Sequence, residues 1–369
     1  MRIAYVALGV EPRNLAGGVG RKLRTQTAIW AELGHAARLF ALVPECPDPE
    51  IYTYSPASWA PGLKGLTRSL SRSRSLHSLM GDVRDFRPDI IYLRAGAYIY
   101  PLHSLFSIDP VVMELNSNDI VQKSLQGRYA YWSNVLTRGI LLGRAAGLIA
   151  VTREIGELPG NRRYRKPTRV IGNGIDLRDF ESMPAPTHSV PTVTLVGSPG
   201  MPWHGVDKLV RLAELCPDLN ICIGGYGPED IDVTLPTNVR AIGFLEPRAV
   251  RDVLRETDVA CGSLALHRNN MQEGSTLKVP EALAYGIPVL LGYRDTALAD
   301  LRSDCILELP NKEDNVASNA DRIRSFAFDM LGRRVPREEF APLIDQRIKE
   351  QERLGFFAEL LQKRQHGPA

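Results

Sequence analysis

A repeated alternation of buried strands, glycine-rich loops and helices most limits what this chain can fold into. Near the start, residues 3–9 form an apolar run, residues 17–20 a glycine-rich loop and residues 22–33 a helical stretch. The pattern returns later, with a strand expected at 193–197 and a helix at 206–215. Strands that alternate with helices form parallel sheets covered by those helices. The sequence therefore predicts an α/β protein with two Rossmann-like domains.

The chain length also points to two domains. A chain of 369 residues exceeds one hydrophobic core of ordinary size. Residues 182–191, SMPAPTHSVP, have the composition of a linker. We therefore predict an N-terminal domain over residues 1–182 and a C-terminal domain over residues 183–336. A charged helical region, interrupted by Gly355, is expected over residues 337–369.

The composition is that of a globular protein in a reducing compartment. A net charge of +3 is too small to indicate a nucleic-acid partner by itself. The cysteines form no CxxC pair, and reduced thiols are the simplest expectation. They are Cys46, Cys216, Cys222, Cys261 and Cys305. The chain opens on an apolar strand without a basic prelude or cleavage site, and no apolar stretch is long enough to span a bilayer. A cytoplasmic protein is expected.

Residues 63–80 mix apolar and basic side chains, with Leu66 and Leu70 beside Arg68 and Arg72. Such a segment suits the anionic inner face of a membrane, where an acceptor lipid would be found. It equally suits a surface helix with a solvated basic face. Both interpretations stay open. Nucleic-acid binding is disfavoured because the segment lacks interleaved aromatic residues.

Residues 273–292, EGSTLKVPEALAYGIPVLLG, predict a loop, a short helix and a buried strand. Gly286 and Pro288 stop the helix, and residues 289–291 continue as the strand. The start of such a helix offers unpaired N–H groups and a partial positive charge, which suit a phosphate. Glu273 and Glu281 would then bracket an anion site. The alternative is an ordinary corner with two solvated carboxylates.

The spacing of Glu273 and Glu281, followed by residues 284–289, Ala-Tyr-Gly-Ile-Pro-Val, resembles the donor-binding motif of retaining nucleotide-sugar glycosyltransferases. These enzymes have the GT-B fold, and the resemblance is specifically to glycosyltransferase family 4. It implies two parallel sheets facing an interdomain cleft, with the final helix returning to the first domain. It also implies a hexosyltransferase that needs no cofactor or metal. A nucleotide-diphosphate sugar would be the donor, and a glycan, lipid-linked or small-molecule hydroxyl the acceptor, in polysaccharide or glycoconjugate biosynthesis.

The resemblance assigns donor-side roles in the second domain. Glu273 would contact the transferred sugar, Glu281 the ribose and Lys278 the phosphates, while Phe244 and Leu245 would hold the nucleobase. The remaining donor-side candidates lie in glycine-rich loops or close to the motif. They are Gly197, Ser198, His204, Gly225, Arg268, Gly274, Ser275, Thr276 and Leu277.

Two departures from the family concern the charge at the diphosphate. Ser198 and His204 stand where the family usually has an arginine and a lysine. The positive charge would then come from Lys278, from Arg268 or from a protonated His204. The alternative is a catalytically silent subunit that binds a nucleotide sugar and supports a partner enzyme.

Acceptor-side candidates follow strands of the first domain or lie in its glycine loop. This loop lacks the GxGxxG spacing of nicotinamide enzymes, so such an enzyme is disfavoured. Polar side chains at the carboxyl ends of parallel strands face the ligand crevice. The candidates are Gly17, Gly18, Arg94, Glu114, Asn116 and Asn173. The Glu-Leu-Asn sequence at 114–116 resembles a subset of the family, because the commonest pattern has a histidine at Asn116. The Asp-Ile-Asp sequence at 230–232 is interpreted as a solvated loop, so no metal site is expected.

Overall fold

The computed structural model describes residues 1–8, 18–43, 57–58, 65–96 and 98–366. The chain divides into two compact units, of which unit 1 comprises Met1–Ile171 and Gln346–Ala369 and unit 2 comprises Gly172–Asp345. The division after Ile171 comes earlier than the predicted boundary. Residues 172–182 belong to unit 2 because their backbone bonds to it, with Ile175 N donating to the Ile344 carbonyl at 2.9 Å.

Unit 1 contains one parallel sheet of seven strands within the described residues. The strands are β1 (Arg2–Leu8), β2 (Ala36–Val43), β3 (Ala57–Ser58), β4 (Ile90–Arg94), β5 (Val111–Leu115), β6 (Gly147–Ala150) and β7 (Thr168–Val170). Their order is β3-β2-β1-β4-β5-β6-β7, so the winding direction reverses between β1 and β4. Ligands of doubly wound sheets bind at the carboxyl ends of the strands beside this reversal.

Helices connect the strands of unit 1. They are α1 (Gly18–Glu32), α2 (Gly65–Phe86), α3 (Asp119–Leu125), α4 (Arg128–Arg144), α5 (Arg153–Glu157) and α6 (Pro159–Arg162). Helix α1 begins earlier than predicted, so Gly18 and Gly20 lie in its first turns rather than in a loop. Helices α3, α5 and α6 were not predicted. Their short lengths give too little apolar periodicity to be recognised.

The last helix of the chain packs in the core of unit 1. This helix, α12, spans Gln346–His366 and runs through Gly355, so the predicted interruption there is wrong. Phe357 packs edge-on against Trp30, with ring centroids 6.0 Å apart. The buried Glu350 accepts hydrogen bonds from Trp30 Nε1 at 2.6 Å and Gln26 Nε2 at 3.0 Å. A buried carboxylate with several donors fixes the position of this helix.

Unit 2 contains a second parallel sheet and a two-stranded one. The larger sheet has β8 (Thr192–Val196), β9 (Asn220–Gly224), β10 (Val239–Gly243), β11 (Val259–Cys261), β13 (Val289–Leu291) and β15 (Ile306–Glu308), and the smaller one β12 (Glu273–Gly274) and β14 (Arg294–Asp295). The larger sheet has the order β10-β9-β8-β11-β13-β15. Its winding reverses between β8 and β11, so a ligand is expected beside the ends of these two strands.

A glycine precedes one helix of unit 2, and another glycine follows a second helix. The helices are α7 (Val206–Leu215), α8 (Pro247–Arg255), α9 (Lys278–Ala284), α10 (Ala320–Asp329) and α11 (Ala341–Ile344). Gly205 caps α7 and Gly286 follows α9, and both have a positive φ that favours glycine. The predicted stop of α9 at Gly286 is therefore confirmed.

The remaining helical turns are short. Single stretches of 3₁₀ helix occur at Leu102–Ser107, Leu177–Asp179, Pro202–His204, Pro228–Asp230, Leu266–Asn269, Ala317–Asn319 and Arg337–Glu339. None of the described helices is both long and apolar enough to cross a bilayer.

Candidate functional site

Two glycines bring adjacent strand ends of unit 2 into close contact. Gly197 follows β8, and Gly225 follows β9 with a φ of +86°. A Cβ atom on Gly225 would lie 2.0 Å from the Gly197 carbonyl oxygen, so no other residue fits there. A Cβ atom on Gly197 would lie 2.7 Å from His204 Nδ1. The glycines therefore allow the backbone and His204 to pack closely at the point where the winding of the sheet reverses.

His204 is buried and forms a pair with a tyrosine. Its Nδ1 lies 2.7 Å from the hydroxyl oxygen of Tyr226. Burial, together with the nearby charge of Lys278, holds the pKa of His204 far below its usual value. The imidazole of the ligand-free protein is therefore neutral at physiological pH, so the expectation that a protonated His204 supplies positive charge is not supported by its surroundings. A neutral imidazole still offers one N–H donor.

Lys278, the first residue of α9, carries the amine that distinguishes this site. Its Nζ is shielded from solvent, and no described residue accepts a hydrogen bond from it. Burial lowers the pKa of Lys278 from 10.5 to about 7, while Cys261 at the end of β11 acts weakly in the other direction. Buried amines are normally paired, and an unpaired one with a strongly shifted pKa indicates a functional site. The Lys278 amine thus lies within electrostatic range of His204 and of Cys261 at the end of β11.

Arg268 is already neutralised by two carboxylates. Its guanidinium donates to both Asp207 oxygens, at 2.8 and 2.7 Å, and also to Glu313. These hydrogen bonds raise the pKa of Arg268 above its usual value. The arginine is therefore charged but committed to neighbouring acids, so the expectation that it supplies charge to a diphosphate is not supported by its contacts.

The loop before α9 is held by residues far away in the chain. Asn173 N donates to Ser275 Oγ at 2.7 Å, and its side-chain amide donates to the Ser275 carbonyl. Thr276 Oγ1 lies 3.2 Å from the Tyr293 hydroxyl oxygen. A Cβ on Gly274 would meet the Tyr293 ring at 2.6 Å. Asn173, expected on the acceptor side, thus belongs to unit 2 and positions the donor-side loop.

The two motif carboxylates occupy different elements. Glu273 is in β12, where it pairs with Arg294 of β14, and Glu281 lies in α9 one turn after Leu277. Both carboxylates are half-buried. No side chain in the described part of the chain caps the first turn of α9. The carboxylates therefore flank the segment that ends in Lys278.

The remaining donor-side candidates surround the strand ends unevenly. Ser198 is exposed, and Phe244 is 80% exposed immediately after β10. Leu245 is half-buried, and its Cδ1 would lie 2.8 Å from a Cβ on Gly224. Phe244 therefore offers a ring to a flat ligand, whereas Leu245 packs on the glycine turn.

Unit 1 has its own polar cluster beside the reversal of its sheet. Glu114, at the end of β5, accepts from Lys22 Nζ at 2.5 Å and from Arg94 Nη1 at 3.1 Å. Burial alone would raise the pKa of Glu114, but these two cations hold it well below its usual range. Glu114 is fully enclosed, so its expected contact with an acceptor is not supported by its burial. Arg94 keeps 20% of its side chain exposed and is the member of the cluster that can meet a ligand.

The other acceptor-side predictions are less informative. Gly17 lies outside the described residues, and Gly18 is the first residue of α1. Asn116 is half-buried directly after β5. Across the described ranges, no group of three or more potential metal ligands comes together.

Sequence reasoning missed Tyr226 and Lys22. Tyr226 sits between glycines in a turn, where an aromatic residue usually has no assigned role, and only its contact with His204 makes it relevant. Lys22 follows the glycine-rich segment on α1, where a basic residue suggests solvent rather than burial. Its burial lowers the pKa of Lys22 to about 8 despite the contact with Glu114.

Solved structures share the fold of this chain. The structure resembles the sucrose-phosphate synthase of Thermosynechococcus elongatus with a TM-score of 0.68 and 14% identity, covering 98% of this chain and 100% of that one. It also resembles the Anabaena protein HepE, solved with UDP and glucose, with a TM-score of 0.61, 12% identity and coverages of 97% and 99%. The predicted GT-B glycosyltransferase fold is therefore confirmed.

A sequence match supports the family. Residues 16–179 match the profile of Glycosyltransferase Family 4. This segment excludes the motif at 273–292 that first suggested the family, so the two observations are independent. The resemblance predicted from the sequence is confirmed over this segment.

A human protein is similar over part of its length. The chain is 33% identical over 132 residues to one subunit of the human phosphatidylinositol N-acetylglucosaminyltransferase, and the match covers 33% of this chain and 26% of that protein. The chain thus spans about a quarter of that relative.

The buried amine of Lys278 predicts a dependence of stability on pH. Folded Lys278 loses its proton near pH 7, whereas the unfolded chain keeps it to about pH 10.5. The unfolded state therefore binds more protons between these values, and stability rises with pH. Relative to Lys278→Met, the wild-type free energy of unfolding should rise by about 3 kcal/mol between about pH 7 and pH 10. Urea unfolding followed by circular dichroism measures it.

The exposed Lys363 provides the control. Lys363→Met should follow the wild-type pH dependence. A wild-type slope that survives in Lys278→Met would show that the Lys278 amine is not the titrating group.

Proposed function

We propose that this protein transfers a sugar from a nucleotide-diphosphate sugar to a hydroxyl acceptor, with retention of configuration at the anomeric carbon. The GT-B fold and the family 4 match support glycosyl transfer. The observation that carries the proposal is the solvent-shielded, unpaired amine of Lys278 beside the sheet reversal of unit 2. Such a group needs an anion, and a leaving diphosphate supplies one.

The surroundings of Lys278 fit a diphosphate better than a smaller anion. Gly197 and Gly225 permit close approach of a ligand to the backbone at two neighbouring strand ends. When Nδ1 of the neutral His204 accepts from the Tyr226 hydroxyl, Nε2–H is the donor that His204 offers a phosphate. Two phosphates could therefore be met by one cation, one imidazole and backbone amides. HepE, which shares the fold, was solved with UDP.

The reaction exchanges one bond to the anomeric carbon for another. The acceptor hydroxyl forms a new C–O bond, the bond to the diphosphate oxygen breaks, and the hydroxyl proton passes to that leaving oxygen. Lys278 stabilises the negative charge that develops on the diphosphate, so the proposal needs no resident metal or cofactor. Glu273 holds the transferred sugar, and Glu281 accepts hydrogen bonds from the ribose.

Unit 1 would bind the acceptor. Arg94 ends β4 beside the sheet reversal and keeps part of its guanidinium exposed. Glu114 and Lys22 are enclosed, so they act on an acceptor only by positioning Arg94. Asn116 lies beyond the end of the next strand. An acceptor with an oxygen that can receive hydrogen bonds from a guanidinium fits this edge.

A second candidate is a nucleotide-sugar-binding subunit that does not turn over its ligand. It is favoured by the charges at the site, because Ser198 and His204 replace an arginine and a lysine, His204 is neutral and Arg268 is paired. Binding would then depend on Lys278 and the loops, as in the first proposal. The two candidates differ only in whether sugar is transferred.

The donor proposal predicts separate effects of the two motif carboxylates. A thermal-shift screen of UDP-, GDP-, ADP- and dTDP-sugars first identifies the donor, since a specific ligand raises Tm more than its analogues. With that donor, Glu273→Gln should lower turnover by about 100-fold or more and change nucleotide Kd little, because it removes a contact to the reacting sugar. Glu281→Gln should weaken nucleotide binding by about tenfold through lost ribose hydrogen bonds.

The exposed Glu181→Gln is the matched control and should leave both constants unchanged. Full turnover in Glu273→Gln would contradict its assigned role. Wild-type binding without any turnover would favour the silent subunit.

The acceptor proposal predicts that Arg94→Ala raises the acceptor KM by about tenfold while nucleotide Kd stays the same. Glu114 keeps its pair with Lys22 in this variant, so the unit should remain folded. Steady-state kinetics with varied acceptor measures the change, and the exposed Arg84→Ala serves as the control. An unchanged acceptor KM in Arg94→Ala would remove Arg94 from the acceptor site.

A further inference from the structure

A row of large apolar side chains projects into solvent from α3 and α4 of unit 1. Leu125, Tyr129, Trp132 and Leu136 are 56%, 89%, 53% and 73% exposed. Residues 129, 132 and 136 recur at helical spacing and share one face of α4, and Leu125 ends α3 just before it. We call these four residues the apolar ridge. A contiguous apolar surface of this kind marks a binding face.

Unit 1 exposes two more leucines at the start of α2. Leu66 and Leu70 are 75% and 51% exposed and lie one turn apart. Burial lowers the pKa of Lys123 on α3, while Asp119 raises it and Arg72 on α2 lowers it, so Arg72 lies within electrostatic range of Lys123.

The rest of the segment predicted to contact a membrane faces inward. Leu76, Leu79 and Met80 are buried in the core of unit 1. The prediction for residues 63–80 is therefore wrong for its second half, and unit 1 exposes further apolar side chains on α3 and α4. Residues 63 and 64 lie outside the described residues.

The segments that carry these apolar side chains contain basic residues and no acidic ones. Residues 65–81 and 120–144 contain no aspartate or glutamate. Arg68 and Arg74 are exposed on α2, and Arg128 is exposed at the start of α4. The adjacent Asp119 is bound by Arg138 through both carboxylate oxygens. The start of α2 and the apolar ridge therefore each combine exposed apolar side chains with an excess of positive charge.

We propose that the apolar ridge and the first two turns of α2 bind an anionic lipid surface. Leucine side chains would enter the acyl boundary, Trp132 and Tyr129 suit the interfacial zone, and the arginines would meet lipid phosphates. A second copy of the chain fits less well. A symmetric dimer places the same face on both partners and would bring these positive charges together. This inference goes beyond the transfer reaction and does not depend on it.

Sedimentation of the full-length protein with vesicles tests the proposal. The vesicles contain either phosphatidylcholine alone or phosphatidylcholine mixed with phosphatidylglycerol, and no nucleotide or sugar is added. Wild-type protein should bind the mixed vesicles, bind phosphatidylcholine alone more weakly, and be released by added salt. The double variant Trp132→Ser with Leu136→Ser should lower the partition coefficient by about tenfold or more, because two apolar anchors are lost.

The matched control changes two exposed apolar residues of unit 2. Leu215→Ser with Val233→Ser removes similar side chains elsewhere and should bind as the wild type does. Circular dichroism and thermal unfolding establish that each variant is folded. Since nucleotide is absent, a failure of the glycosyltransferase proposal leaves this result unaffected.

Three outcomes would overturn the proposal. Wild-type protein that sediments with neither kind of vesicle has no lipid-binding face. Equal losses in the ridge and control variants would show that the ridge is not the contact. A wild-type dimer in solution that the ridge variant dissociates, without vesicle binding, would assign the face to a second copy.

Discussion

The function proposed for this protein depends on the burial of the Lys278 amine. A solvent-shielded amine without a hydrogen-bond acceptor costs free energy in the folded state, and its pKa falls because the neutral form is the less costly one. The fold retains this amine at the sheet reversal of unit 2, where ligands of parallel α/β sheets bind. An anionic ligand would restore the charge of Lys278 and provide its missing partner. The free-energy cost of burying this amine therefore applies to the ligand-free protein.

The other groups at this edge are arranged around the amine. Gly197 and Gly225 carry no side chain, so the backbone and His204 pack closely there. Tyr226 occupies one nitrogen of His204, and burial together with Lys278 keeps the ring neutral. Lys278 is thus a cation at this edge whose charge changes near neutral pH. Binding of the proposed donor should accordingly depend on pH.

The sequence predicts the fold better than the chemistry of the site. Buried strands, the glycine loops and the stop at Gly286 are local signals, and they predicted both sheets. The site depends on contacts between distant parts of the chain. Asn173 and Ser275 are 102 residues apart, and Arg268 is committed to Asp207, 61 residues away. Neither the pairing nor its effect on charge can be recognised from local spacing, because burial and partners appear only in the folded chain.

Isothermal titration of the preferred nucleotide diphosphate, in buffers of different ionisation enthalpy, tests the role of Lys278 most directly. At about pH 8 the free amine is mostly neutral, so binding a diphosphate should take up close to one proton in the wild type and almost none in Lys278→Met. Binding to the wild type without proton uptake, or equal uptake by the variant, would contradict the claim that this amine receives the diphosphate.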